Sequence, residues 1–504
     1  MGIIARQSIK GTIVTYMGVF VGFLTTFFVL TRFLTAEEIG LARVLIDVAT
    51  LLCGLMQLGT SSSIIRFFPY FKQEKEDALS ADQTDRSCNG FFFWTIAVPF
   101  IGLLLFSLLF WALNVPVKHL FEDKSQLFVD YYYMVLPLAF FMLYQTIFET
   151  NANVLMRIVF PRLTRELLLR IFLLAAYLLY AFKVVSLDGM VVLLCLSYGL
   201  AALCNIAYLF AYGHISLRPN FRYVDRTLAR KYAYYTLFQI TAAVATVLTP
   251  FLSEGFISAQ LGLEQTGIFS IAIYIAAMVS IPNRSLNAIA NPQLAQATKD
   301  GDLKNLRQLL KQVSNNSLLV GGLILTLIWI NIDLIYTILP NGELYAAAKY
   351  VVLLLGLTQL LLAAFNASIS VLNFSKYYYL SLVYSFILTF ASLYFNNLLV
   401  PIFGIDGAAL ANLLSYSVYF ALLCATVGIL CKASPFSLPQ LKTIVLLGVV
   451  IGICTAVGYM PCNIWLSSVI KTSVWCITAW IAYYAKLSPE ITDLVNNALK
   501  KRKN

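Results

Sequence analysis

The sequence predicts an all-α polytopic membrane protein of about fourteen transmembrane helices. The helices are expected as two like-oriented six-helix lobes around a central cavity, plus two extra C-terminal helices. Three observations predict this. The chain is 60% hydrophobic and 12% charged, with mean hydropathy +0.80, whereas soluble domains run near half apolar and a quarter charged. Windows of about 18 or more residues with no charge, or one near an end, recur along the chain, and that is the length a helix needs to cross a bilayer. The runs are continuous, not alternating, which excludes a β-barrel. Finally, two short stretches are repeated six spans apart.

In order, the apolar windows predict spans at 11–33, 44–65, 91–113, 129–149, 167–186, 189–212, 236–258, 268–289, 314–339, 347–373, 379–399, 408–430, 443–460 and 465–485. The first is too long for a signal-peptide core, and no small-residue cleavage pattern follows it. Spans 1–6 form an N-terminal lobe (1–213) and spans 7–12 a C-terminal lobe (236–431), joined by a basic cytoplasmic linker (214–235). Residues 432–504 supply two additional spans and a cytoplasmic tail.

Orientation follows from the basic residues. Of the 35 Lys and Arg, 26 fall in the termini and alternate loops of one side and 5 on the other. Four lie inside spans: Arg32, Arg170, Arg284 and Lys471. The positive-inside rule places both termini in the cytoplasm, and the net charge of +11 mostly reports that rule. Basic residues dispersed over so many loops do not form a nucleic-acid footprint, so no nucleic-acid partner is expected.

The repeated stretches define the lobes. "VSLDGMVVLLCLSY" (185–198) and "FGIDGAALANLLSY" (403–416) share Asp-Gly and end in Leu-Ser-Tyr. They cover the turns between spans 5 and 6 and between spans 11 and 12. "FLTAEEIG" (33–40) and "QLGLEQTG" (260–267) share Leu-x-x-Glu-x-x-Gly, as Leu34, Glu37, Gly40 and Leu261, Glu264, Gly267. Both echoes point to a duplicated six-helix unit. Six is even, so the halves keep one orientation about an axis along the membrane normal. The competing reading is coincidence at an Asp-Gly turn and a Glu helix start. In the linker, Arg222, Arg226 and Arg230 recur every four residues, as in a helix lying on anionic headgroups or in a plain positive-inside loop. "DLKNLRQLLKQV" (302–313) is a second amphipathic segment leading into span 9.

Chemistry-bearing clusters are scarce. The nine cysteines include no CxxC pair and lie mostly within spans, and His119 and His214 fall in loops on opposite faces. Neither a disulfide framework, a metal site, a cofactor nor a catalytic residue is expected. Two like-oriented bundles suit a transporter that rocks its halves around a cavity; a channel does not need the duplication. The longest outer loop, about 114–128, is short for a membrane glycosyltransferase or polymerase, so an enzyme is not expected.

"QSIKGTIVTYMGVFVGFLTTFFVLTRFLTAEEIGL" (7–41), "LGTSSSIIRFFPYF" (58–71) and "PIFGIDGAALANLLSY" (401–416) resemble stretches of bacterial polysaccharide and O-antigen-type oligosaccharide flippases. These belong to the multidrug/oligosaccharidyl-lipid/polysaccharide exporter superfamily. The likeness extends over the chain in span number, repeat and linker. Its motifs are mostly Gly, Pro and apolar positions, which mark the superfamily more than the substrate. It implies translocation of undecaprenyl-pyrophosphate-linked oligosaccharide from the cytoplasmic to the outer leaflet of the bacterial inner membrane by alternating access. H+ or Na+ is the implied coupling ion, and a polysaccharide polymerase an admissible protein partner. The alternatives are a multidrug or small-molecule cation-coupled antiporter of the same superfamily, whose core usually lacks spans 13 and 14, and a polysaccharide polymerase.

Such a substrate requires a wet, partly cationic cavity, so ionisable residues inside spans are the candidates. Arg284, in "SIPNRSLNAIANP", follows Pro282-Asn283, where a proline frees backbone groups beside a cavity. Its other reading is snorkelling about 8 Å to the headgroups. Arg32 and Arg66 bracket the first hairpin, and each is also close to an interface. Arg170 is expected to snorkel, and Lys471 to sit outside the duplicated core. For ion coupling the candidates are Asp47, which can pair with Arg43 four residues earlier, and Glu254 and Asp333 near the outer surface. Glu149 is expected to be solvated at the end of span 4. Asn366 and Asn412, like Asn373, either bind glycan hydroxyls or join helices. Tyr131–Tyr133 and Tyr377–Tyr379 fit interfacial belts.

Overall fold

A computed structural model of the chain describes residues 3–71, 90–155, 157, 159–212, 217, 230–232, 234–236, 248, 251–458, 463–484 and 488. Most of span 7, Arg222 and Arg226 of the linker, His214, Cys88, Cys462 and nearly all of the C-terminal tail lie outside the described residues. The described residues are helical with no strand. Long helices whose backbone groups pair internally are what a chain this apolar needs in a water-free medium. Large apolar side chains such as Phe20, Trp111, Phe390 and Val469 stand exposed along them, far beyond the apolar patch a soluble surface carries.

Among the described residues, eleven helices are long and apolar enough to cross a membrane. Span 5 is not one of these because Arg165, Glu166 and Arg170 put at least three charges in any 18 residues of it; its helix runs Val159–Leu163, a π-helical turn at Thr164–Leu168, then Leu169–Ala181. Spans 11 and 12 form one run, Leu380–Leu430, but Gly404 (φ 60°, ψ −132°) breaks it. A Cβ added at Gly407 would lie 2.1 Å from the carbonyl oxygen of Leu399. Residues eight apart in a straight helix are separated by about 12 Å, so the chain folds back at this point.

Three boundaries differ from the sequence expectation for local reasons. The span-2 helix, Ala36–Met56, starts earlier than expected at 44, because Thr35 closes a capping box with Glu38. Glu38 N–H donates to Thr35 Oγ1 (3.2 Å) and Thr35 N–H to Glu38 Oε2 (2.8 Å), a motif that stabilises a helix start by about 1 kcal/mol. The same helix stops at Met56, because Leu58 (φ 48°) and Gly59 (φ 68°) are left-handed; a new helix, Thr60–Phe71, follows. Similarly, span 9 is Leu303–Ile330, continuous with the amphipathic segment and capped by Asp302.

The chain divides into two compact units, Met1–Phe251 with Ser258–Gly267, and Leu252–Ile257 with Ile268–Asn504. In the first, the helix Val135–Val154 (span 4) is central. It packs against Ala36–Met56, Thr60–Phe71, Phe91–Ala112 and Leu187–Tyr212, and Val135, Ala139, Leu143, Ile147 and Ala152 on it are fully buried. In the second, Lys349–Phe374 (span 10) packs against Ile281–Asp300, Leu303–Ile330 and Leu380–Leu430. The central helices are thus six spans apart, as the echoes are.

The first unit also brings two echoed segments together. A Cβ on Gly40 would lie 2.0 Å from the carbonyl oxygen of Leu263, and one on Gly267 would lie 1.9 Å from that of Ala36. The two contacts are reciprocal, and each glycine lies against the backbone nitrogen of the other. Absence of side chains is what lets two helix backbones come this close.

Spans 13 and 14, Leu438–Gly458 and Ile464–Tyr484, pack on Leu303–Ile330. Leu447 fills the notch at Gly322, Trp475 Nε1 donates to the carbonyl oxygen of Leu323 (2.8 Å), and Asn331 Nδ2 donates to Thr472 Oγ1 (3.2 Å).

Candidate functional site

The polar groups inside the helices differ between the units. The first unit buries many hydroxyls and amides, among them Gln145, Asn151 and Asn205, and adds to them a set of paired charges. Arg43 Nε lies 3.1 Å from the buried Asp47 Oδ2 on the same helix, the spacing at which helical side chains meet. A larger set joins the end of the span-4 helix to span 5. Arg165 Nη1 lies 2.8 Å from Glu149 Oε1, Arg165 Nη2 lies 3.2 Å from Glu166 Oε1, and Arg170 Nη2 lies 3.5 Å from Glu166 Oε2. The expectation that Glu149 is solvated at the end of span 4 is overturned: it is buried against a cation supplied by the next element. Arg170 is paired, with Gly22 of span 1 against its guanidinium.

Local structure explains how neighbours in sequence come to share these partners. Arg165 and Glu166 both lie in the π-helical turn Thr164–Leu168, a widened turn that recurs at functional sites. The span-1 helix presses on this turn through Gly18, where a Cβ would meet the carbonyl oxygen of Glu166 at 2.0 Å. Gly18 and Gly22 form a G-x-x-x-G pair, the small-residue spacing that brings membrane helices together. In the sequence, the Glu166–Arg170 spacing of four pointed to one pair of this network, and nothing local pointed to the rest.

In the second unit the spans are lined mainly by uncharged amides and hydroxyls. Ser370 Oγ donates to Asn291 Oδ1 (3.0 Å), and Asn315, Asn316 and Asn396 are buried. Asn366 and Asn412 are half-buried on spans 10 and 12. Glu254 is buried in the helical residues 251–260. Arg284 is exposed one residue after Asn283, which is buried with neither amide atom hydrogen-bonded within the described residues. A 3₁₀ turn at Met278–Ser280 and Pro282 interrupt the helix just before them. A buried amide left without partners costs free energy unless water or a ligand satisfies it.

The remaining candidates sit at exposed positions. Arg32 is exposed over the ring of Phe33, at 5.6 Å. Arg66 lies 4.3 Å from the ring of Tyr235, and the neighbouring Tyr232 packs on Phe67. Burial pushes the Tyr232 hydroxyl pKa up, with Ser63, Thr60 and Thr236 hydrogen-bonding to it. Asp333, 53% exposed, pairs with Lys349 at 2.6 Å. Exposed pairs are screened by water, so Asp333→Asn is expected to change the midpoint of thermal unfolding by the equivalent of no more than about 1 kcal/mol. A much larger loss would show that this pair is shielded from solvent.

No protein-family model matches the chain, and no curated protein is significantly similar to it in sequence. Solved structures are similar in fold. The lipid II flippase MurJ in an inward closed conformation superposes with TM-score 0.71 at 13% identity, over 95% of this chain and 99% of that one. An inward-facing multidrug-resistance MATE transporter of the MOP superfamily gives TM-score 0.62 at 13% identity, over 86% and 97%. A MOP-superfamily transporter from Pyrococcus furiosus, described as having a binding pocket of reversed polarity, gives 0.56 at 13% identity, over 85% and 96%. The fold is thus that of the flippases and exporters of the MOP superfamily. These neighbours are membrane transporters and not enzymes, and the chain is a multi-pass membrane protein of their architecture.

Proposed function

We propose that the protein is a flippase that carries undecaprenyl-pyrophosphate-linked oligosaccharide repeat units from the cytoplasmic to the outer leaflet of a bacterial inner membrane by alternating access. Both termini are then cytoplasmic, and spans 1–6 and 7–12 are the moving lobes. The observation that carries this reading is the full-length likeness to MurJ, which spans 95% of the chain. The MATE alignment leaves 14% of the chain uncovered (100% less the 86% covered), about the size of the appended segment 432–504. Arg284, Arg32 and Arg66 supply exposed cations for the pyrophosphate, and the half-buried Asn366 and Asn412 suit glycan hydroxyls. Asp47 and Glu254 are buried carboxylates suited to H+ or Na+ coupling, whereas Asp333 is held in its exposed pair. A polysaccharide polymerase is the protein partner this activity admits. The second reading, a cation-coupled small-molecule antiporter, is favoured by the MATE neighbours.

The test is leaflet transfer in proteoliposomes loaded with an undecaprenyl-pyrophosphate oligosaccharide, with exposure to an external lectin as the readout. Protein-dependent exposure is expected, reduced at least tenfold by Arg284→Ala, the loss of one charged contact to the headgroup. No exposure under any imposed ion gradient, with several glycans tried, would favour the antiporter. Longer glycans appearing instead would make the protein a polymerase.

A further inference from the structure

Arg165 is the cation with the least obvious structural purpose. It is 51% exposed, yet both of its terminal nitrogens are held by carboxylates that are 11% (Glu149) and 13% (Glu166) exposed. A guanidinium held by two mostly shielded acids while itself half exposed is preorganised to receive a second oxyanion. The span-1 glycines leave room for this arrangement and fix its depth: Gly18 abuts Glu166 and Gly22 abuts Arg170.

The four groups Glu149, Glu166, Arg165 and Arg170 sum to zero charge. The groups around Glu149 are Arg162, Arg165 and Glu166. Of the helices packed against its own, Ala36–Met56 brings Glu37, Glu38 and the Arg43–Asp47 pair, Thr60–Phe71 brings Arg66, and Leu187–Tyr212 brings Asp188, which accepts from Tyr131. Phe91–Ala112 brings none, and the other titratable groups on the packed elements are cysteines and tyrosines. The helix of span 1, packed on the turn that carries Glu166, brings Arg6 and Lys10. Arg162 and Arg66 form no ion pair with Glu149 or Glu166 among the described residues, so carboxylates displaced by an arriving dianion lose the guanidinium partners that hold them.

We propose that a pyrophosphate diester binds at Arg165 and Arg170 by displacing Glu149 and Glu166, and that each displaced carboxylate takes up a proton. The inference rests on the flippase reading and names the residues that couple its substrate to protons. The balance is simple. A dianion enters a neutral cluster, up to two protons enter with it from water, each forming one O–H bond on a carboxylate, and the cluster stays neutral. A charge left uncompensated at this depth is costly, which ties proton uptake to substrate binding.

The test uses the purified full chain in nanodiscs. The probe is a short-chain polyprenyl pyrophosphate bearing one N-acetylglucosamine, titrated calorimetrically in buffers of different ionisation enthalpy. Wild type is expected to take up about one to two protons per ligand, and affinity to rise about tenfold per proton taken up for each unit fall in pH. Glu149→Gln should reduce uptake by about one proton while preserving binding. Arg165→Ala should weaken binding at least tenfold, and Arg165→Lys should restore part of it. Binding without proton uptake, or uptake unchanged in Glu149→Gln, overturns this inference and leaves the flippase reading intact. No binding by wild type overturns both.

Discussion

Gly40→Ala is expected to lower the stability of the purified protein by at least about 2 kcal/mol, and Gly267→Ala by as much. Each added Cβ would meet a backbone carbonyl at 2.0 and 1.9 Å respectively. Backbone cannot rotate out of the way as a side-chain tip can, so the helix starts at Ala36 and Leu263 would have to move apart. Because the contacts are reciprocal, the two substitutions should not add. Once one methyl has separated the helices, the second finds the clash already relieved, and the double variant should lose less than the sum. Gly428→Ala and Gly448→Ala are the controls, since a Cβ at either meets nothing within 4 Å. These should be neutral or stabilising by up to about 1 kcal/mol, the helix-propensity gain. The measurement is thermal unfolding in detergent followed by tryptophan fluorescence. A wild-type midpoint for Gly40→Ala would mean that the crossing is looser than its geometry.

How much of this could be read beforehand varies with the range of the interaction. The spans were legible because bilayer thickness sets a length that local composition must satisfy, and the Leu-x-x-Glu-x-x-Gly echo marked both glycines of the crossing. What the echo did not disclose is that Gly40 and Gly267 meet, since 227 residues separate them (267 less 40). Helix ends were less legible where a cap or a turn decides them, as at Thr35 and at Leu58-Gly59. The least legible feature was the charged network. Arg162 and Arg165 read as ordinary basic residues of a cytoplasmic loop, and Glu149 as a solvated helix end, because each was judged by its own neighbours in sequence. The π-helical turn that carries Arg165 to Glu149 has no local sequence pattern. By contrast, the Arg43–Asp47 pair was legible because both partners sit on one helix four residues apart.

The other echo supplies the sharpest contrast between sequence and packing. Gly189 and Gly407 occupy the same place in twin stretches, yet Gly407→Ala is expected to cost at least about 2 kcal/mol and Gly189→Ala less than about 1 kcal/mol. At Gly407 a Cβ would lie 2.1 Å from the carbonyl oxygen of Leu399 and 3.1 Å from the nitrogen of Val400, both backbone. At Gly189 it would meet the Cβ of Val185, at 2.9 Å, in the irregular stretch just before the helix begins, so relief requires only that this stretch shift and not that two helices part. The aspartates diverge in the same way. Asp188 Oδ1 accepts from the Tyr131 hydroxyl at 2.5 Å, whereas Asp406 Oδ1 is buried without a hydrogen-bond partner among the described residues. The reason is the connection each glycine serves. Spans 5 and 6 are joined through an irregular stretch after Lys183, a left-handed residue (φ 58°) that closes the preceding helix. Spans 11 and 12 reverse at Gly404 alone, in a backbone region nearly confined to glycine, so the two helices must close on one another at once. Gly404→Ala should therefore add a strain of about 1–3 kcal/mol of its own. Equal unfolding midpoints for Gly189→Ala and Gly407→Ala would mean that the reversal opens to admit a methyl group, and that the two turns are equivalent in packing as well as in sequence.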